Sequence, residues 1–245
     1  AQVYRRLGAR VTVVEMLSEI LPREDATVAA ELRRILEAEG IAFVLGRRVA
    51  GVRVQDGAKA LILEDGTRVE GEEIVVATGR VPATGTLELE RAGVDRDGAA
   101  VRVDRTLRTT ARGVWAVGDV TGGLQFTHVA DMMARIALQN ALFPWKKRVD
   151  YSNVPRVTYT DPEVAQLGMG STEAEAEGAR VFTYSLGDLD RAIVDGESEG
   201  FVKIAADRKG RILGATVLAQ GAGELLLPLV LARGHGIPLP GISAT

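Results

Sequence analysis

Residues 11–15 read Val11-Thr12-Val13-Val14-Glu15, and this short β-branched run constrains the fold more than any other stretch. Such a run suits a strand buried on both faces, as in a parallel sheet covered by helices. Residues 1–7 carry apolar positions at helical spacing, and Gly8 stands where a helix ends. Residues 25–39 are predicted to form a helix, with Val28, Leu32, Ile35 and Leu36 on one face and Gly40 as its stop. Residues 41–45 read as the next strand. Helix, strand, helix, strand is the repeating unit of a doubly wound α/β fold.

The pattern then changes. Residues 49–54, 60–63 and 67–69 are predicted short strands, separated by Asp56-Gly57 and Asp65-Gly66. Asp-Gly between strands signals hairpins, so this is an antiparallel meander. It feeds residues 73–77, a further apolar strand ending in Thr78-Gly79-Arg80. From there to Arg148, residues 101–103 and 114–117 read as strands and residues 129–142 as one helix. Pro144 and Lys146-Lys147-Arg148 mark a linker. From Tyr151 onward, residues 157–159, 179–185, 201–205 and 212–219 read as strands, and 171–177 and 223–233 as helices. Strands with helices to one side describe an α+β domain.

Two carboxylates stand where nucleotide chemistry is done. An acid ending the second strand of a Rossmann unit hydrogen-bonds ribose hydroxyls, and Glu15 has that position. The matching glycine fingerprint belongs about 20 residues earlier, which runs past residue 1. In Val114-Trp115-Ala116-Val117-Gly118-Asp119, an apolar strand delivers Asp119 to the carboxyl edge of a sheet. Each acid, taken alone, serves equally as a solvated strand end or a turn.

A net charge of −3 gives no strong field toward nucleic acid or an anionic membrane. No apolar run approaches the roughly 20 residues of a membrane span. Cysteine is absent, which excludes disulfide scaffolding and thiolate metal sites within the sequence. No signal peptide is recognised, and Ala1 falls within an expected helix. The expectation is therefore a cytoplasmic protein and a chain trimmed from something longer.

Five segments, in order, resemble the pyridine nucleotide–disulfide oxidoreductases, the group of dihydrolipoamide dehydrogenase, glutathione reductase and mercuric reductase. They are Leu7-Gly8-Ala9-Arg10-Val11-Thr12-Val13-Val14-Glu15, Val76-Ala77-Thr78-Gly79-Arg80-Val81-Pro82, residues 109–119, Gln125-Phe126-Thr127-His128, and residues 154–168 around Thr160-Asp161-Pro162-Glu163. The resemblance implies an α/β fold in three parts: a partial Rossmann-type NAD(P)-binding domain (1–78), the C-terminal segment of an FAD-binding domain (79–148), and an α+β dimerisation domain truncated at its end (149–245). It implies that the chain is a C-terminal fragment.

The same resemblance implies FAD and NAD as cofactors. Glu15 takes the adenosine ribose of NAD, Val49 lies near the adenine, and Gly79 lies against the nicotinamide nucleotide. Asp119 binds the ribityl chain of FAD. Gln125, Phe126, Thr127 and His128 present backbone N–H groups at a helix N-terminus to the flavin. His128 acts through its main chain, and His235 is structural. No residue of this sequence is assigned a catalytic role or a metal. The family's cysteine pair is absent, and its catalytic His and Glu belong beyond Thr245, so these 245 residues alone are expected to show no disulfide reductase activity and no tight FAD binding. Electrons are expected to pass between a dihydrolipoamide-type dithiol and NAD, with a mercuric-reductase-like activity or another disulfide reductase as the alternative. A dimerisation module without chemistry is the reading from a different class. The expected partners are a second copy and a small dithiol, disulfide or metal-ion substrate.

In residues 223–233, Leu225, Leu226, Leu227, Leu229, Val230 and Leu231 make a helix apolar nearly all round. It is expected to be buried in its own core or against a partner.

Overall fold

The computed structural model describes residues 1–55 and 57–244. Asp56, and with it the first Asp-Gly turn as read from the sequence, lies outside the described residues. In chain order the elements begin with α1 (Gln2–Arg6), β1 (Val11–Val14), α2 (Ala26–Ala38), β2 (Ile41–Val44), β3 (Val49–Gln55), β4 (Ala58–Leu63) and β5 (Arg68–Gly71). Then come β6 (Arg96–Asp97), β7 (Ala100–Val101), α3 (Thr127–Leu142), β8 (Arg156–Thr158), β9 (Glu163–Gly168), α4 (Ser171–Ala176) and β10 (Arg180–Ser185). The last are α5 (Asp190–Asp195), β11 (Phe201–Ala206), β12 (Ile212–Ala219), α6 (Ala222–His235) and α7 (Leu239–Ser243).

Two compact units result. One joins residues 1–74 to 153–245, and the other is residues 75–152. In the first unit, β1 and β2 pair in parallel from Val11 with Ile41 to Val14 with Val44. The crossover between them is α2. Strand β1 is not buried on both faces as its β-branched run led one to expect: Thr12 is exposed and its neighbours are half-buried. Asp25 caps α2, its carboxylate accepting from the Thr27 N–H. The meander β3-β4-β5 is antiparallel, and the Asp65-Gly66 turn places Gly66 at φ +85°, a conformation glycine adopts freely.

The remainder of this unit is a five-stranded antiparallel sheet in the order β10-β11-β12-β9-β8. Two of its three inner strands, β9 and β12, are buried on both faces. Ala165, Leu167, Ala215 and Val217 pack with Leu226 and Leu229 of α6. Val164 and Leu218, which alternate with them, pack with Val28, Leu32, Ile35 and Leu36 of α2. Each fully buried Val or Leu here contributes about 1.5–3 kcal/mol. Helices therefore cover both faces of this sheet, where the sequence pattern suggested one. Between the strands, the Thr216 hydroxyl donates to the Gln166 carbonyl at 2.5 Å, which satisfies two buried polar groups together. Strand β9 and helix α5 were not predicted.

In the second unit, two expected strands do not form. Residues 73–77 have no strand partner among the described residues, and Val75 and Val76 stand 71% and 76% exposed. Apolar sequence alone does not make a strand, because the backbone groups need a neighbouring ladder. Residues 114–117 form only one bridge, Trp115 to Arg108, and it is antiparallel. The reason is local: the Thr109 N–H donates to the Val114 carbonyl and the Ala116 N–H to the Leu107 carbonyl, so the chain folds back on itself. The third expected strand shrinks to the two residues of β7, paired with β6. Helix α3 is formed as predicted, with Val129, Met133, Ile136 and Ala137 buried.

Candidate functional site

Glu15 sits at the carboxyl end of β1, on the last rung of the parallel ladder. Its N–H donates to the Val44 carbonyl at 3.0 Å, and its carbonyl accepts from the Arg47 N–H at 3.2 Å. Its carboxylate is held by the Leu17 N–H, which donates to Oε1 at 2.9 Å. This bond fixes the side chain beside the strand end and leaves Oε2 to accept from a ligand hydroxyl. Glu15 therefore stands at the carboxyl end of a parallel strand.

The loop after β2 lies against the same edge. The Gly46 N–H donates to the Leu17 carbonyl at 2.8 Å, so residues 46–47 flank residues 15–17. Val49 begins β3 two residues later, partly exposed and in register with Leu63. Glu15 and Val49 are thus brought to one neighbourhood by short connections. The sequence reading missed two arginines there. Arg47 Nε lies 2.9 Å from Asp65 Oδ2, and Arg48 Nε lies 3.5 Å from Glu64 Oε1. Asp65 is held below the usual carboxylate range by hydrogen bonds from Thr67, with Arg47 adding to them. The signal was present as an Arg-Arg pair just after a parallel strand, but its acidic partners arrive only with the meander.

The remaining assigned residues belong to the second unit. Gly79 takes φ +125°, and a Cβ built there would meet nothing within 4 Å. The backbone is therefore open to close approach by a ligand. The Arg80 guanidinium donates to the Gln125 carbonyl at 3.3 Å, which draws this turn to the segment before α3. Phe126 takes extended geometry as the residue before the helix, and its carbonyl accepts from the Val129 and Ala130 N–H groups. Thr127 and His128 open the helix, in its first turn. The rings of Phe126 and His128 stack at 5.5 Å. Gln125 to His128 thus form one helix-entry segment next to Gly79.

Asp119 departs from the sequence reading in one respect. It does not end a parallel strand but lies in a 3₁₀ turn, Gly118–Thr121. Gly118 has φ +73° and is buried, and a Cβ there would stand 3.1 Å from Ala130 Cβ. Glycine at 118 therefore lets the turn press onto the first turn of α3. Asp119 is exposed, and its carboxylate makes no hydrogen bond or ion pair among the described residues. The donor set fits two nucleotides: carboxylates for sugar hydroxyls, an open glycine, and a helix entry for negative charge.

Two surface depressions, of about 350 and 490 Å³, are lined by residues around Glu177 and Asp207 and by Arg135 to Trp145. Neither includes an assigned site residue. Among the described residues there is no group of three or more His, Cys, Asp or Glu able to hold a metal. No described helix is long and apolar enough to cross a membrane.

Comparison with known proteins bears on the same residues. A family model described as pyridine nucleotide-disulphide oxidoreductase matches residues 1–134, and one for that family's dimerisation domain matches residues 154–244. A mercuric reductase from Streptomyces lividans is 34% identical over 100% of this chain and 53% of its own. Dihydrolipoyl dehydrogenase 2, mitochondrial, from Arabidopsis thaliana is 35% identical over 94% of this chain and 47% of its own. The solved structure of the HOCl-induced flavoprotein disulfide reductase RclA from Escherichia coli superposes with a TM-score of 0.90, at 32% identity, over 96% of this chain and 55% of that one. The chain spans about half the length of the curated relatives it matches.

Proposed function

The chain belongs to the pyridine nucleotide-disulphide oxidoreductase family, and from that premise we propose that it serves a flavoprotein passing electrons between a dihydrolipoamide-type dithiol and NAD. The observation that carries this reading is Glu15, anchored by the Leu17 N–H at the carboxyl end of a parallel strand pair. A carboxylate so placed accepts hydrogen bonds from ribose hydroxyls and repels a 2′-phosphate. Val49 lines the adenine side, and Gly79 gives the nicotinamide nucleotide room at the backbone. In the second unit, Asp119 accepts from the ribityl hydroxyls of FAD. Gln125, Phe126, Thr127 and His128 orient donors toward the flavin pyrimidine oxygen, where the helix dipole favours negative charge. FAD, when bound, supplies the hydride and electron chemistry.

The sequence contains no cysteine, so the thiolate that attacks a disulfide has to come from outside these 245 residues. We extend the proposal to three functional parts, 1–78 for NAD, 79–148 for FAD and 149–245 for dimerisation. The outward face of α6 supports a homodimer: Leu225, Leu227 and Leu231 are about half exposed, while Leu226 and Leu229 fill the core. Mercuric-ion reduction is the second reading, favoured by the match of the whole chain to a mercuric reductase.

Assays with NADH against lipoamide and against mercuric ion, run on the protein together with the polypeptide that supplies the cysteine pair, test the proposal. It predicts bound yellow flavin and turnover of lipoamide there, and neither from these 245 residues alone. Turnover of mercuric ion alone selects the second reading, and a flavin-free assembly inert to both identifies a dimerisation module.

A further inference from the structure

We propose that the Glu64–Asp65 turn enforces the choice of NAD over NADP by occupying Arg47 and Arg48, the two cations beside Glu15. The proposal rests on the reading that Glu15 takes the adenosine ribose, and concerns what excludes a phosphate on that ribose.

A dinucleotide with a 2′-phosphate is ordinarily accommodated by an arginine near the end of the second Rossmann strand. Guanidinium groups suit that role because their forked donors match phosphate oxygens. This chain has two arginines in the right neighbourhood. Arg47 donates its backbone N–H to Glu15 itself, and Gly46 is bonded to Leu17. Taken alone, that arrangement invites a phosphate. Each arginine, however, meets its own acid: Arg47 meets Asp65 at 2.9 Å and Arg48 meets Glu64 at 3.5 Å.

The turn is held by bonds that do not use the guanidiniums. Asp65 Oδ1 accepts from the Thr67 N–H at 2.9 Å, and the Glu64 N–H donates to the Arg48 backbone carbonyl at 3.0 Å. Both pairs are open to solvent, so they add little to stability. Their effect is on the field: the carboxylates of Glu15, Glu64 and Asp65 outnumber the guanidiniums of Arg47 and Arg48, so these five residues sum to one negative charge. Replacing the two turn acids by amides makes it net positive. Phosphate is then attracted to a surface that had repelled it.

The test titrates 5′-AMP and 2′,5′-ADP into the protein and its Glu64→Gln/Asp65→Asn variant, followed by calorimetry at low and high salt. Asparagine at 65 keeps an oxygen for the Thr67 N–H, so the turn is retained. The variant is expected to shift the affinity ratio toward 2′,5′-ADP by about fivefold or more, as a change of this size in nearby charge implies. Salt should erode the shift, and adding Arg47→Gln should abolish it. An unchanged ratio overturns the proposal, as does a shift that survives Arg47→Gln. If the unaltered protein binds 5′-AMP no more tightly than its Glu15→Ala variant, the Glu15 reading itself falls and takes the inference with it.

Discussion

Replacing Asp25 by alanine should destabilise the first unit by about 2–4 kcal/mol, because one carboxylate there serves two helices. Its Oδ1 accepts from the Thr27 N–H at 2.9 Å and from the Thr27 hydroxyl at 2.6 Å, capping α2. Its Oδ2 accepts from the Ser171 N–H at 2.9 Å, at the start of α4. Lys203 Nζ of β11 lies 3.5 Å away and also donates to the Thr27 hydroxyl. The Asp25 side chain is 1% exposed, so water cannot replace it. Loss of the cap costs about 1 kcal/mol. Leaving the Ser171 N–H without its acceptor costs about 1–3 kcal/mol more. Burial disfavours the charge, but the hydrogen bonds from Ser171 and Thr27 outweigh it and hold the carboxyl well below the usual range. A depressed folded-state value means the stabilisation is present above the unfolded carboxyl's pKa of about 3.9 and fades as pH falls below it. Urea unfolding followed by circular dichroism at several pH values measures this. The gap between the protein and Asp25→Ala should be constant above about pH 5 and close below about pH 4. A gap under about 0.5 kcal/mol at neutral pH, the size typical of an uninvolved surface site, refutes the reasoning. So does a gap that widens with acid.

Gly118→Ala should cost about 1–2 kcal/mol, since a left-handed residue would acquire a Cβ and that Cβ would stand 3.1 Å from Ala130. Thermal melts of the variant check it, and an unchanged midpoint contradicts the packing described. Leu225→Glu with Leu231→Glu should leave the far-ultraviolet spectrum intact, because both side chains point outward. Sedimentation should then report half the mass of the unaltered protein, whereas an unaltered mass removes α6 from the dimer interface.

The parallel pair β1 and β2 and the helix between them were legible because their signals are local. Apolar spacing and a stop glycine lie within about 20 residues. Strand β9 was not legible. Gln166 interrupts its apolar run, and the hydroxyl that makes that glutamine tolerable belongs to Thr216, on another strand. Residues 73–77 and 114–117 erred the other way: their composition is strand-like, but a strand exists only with a partner, and partners are not written in the run itself. Among site residues, Glu15 and the α3 entry could be found from position along an element. The Arg47–Asp65 pair could not, because 18 residues of folded meander bring it together.

A crystal structure of the protein with both dinucleotides bound tests the central claim most directly. The account predicts an NAD adenosine ribose with a hydroxyl about 2.6–3.0 Å from the Glu15 carboxylate, and a separate flavin whose ribityl chain meets Asp119 at a similar distance. It is contradicted if Glu15 keeps only the Leu17 N–H while NAD lies elsewhere, or if one nucleotide touches both carboxylates.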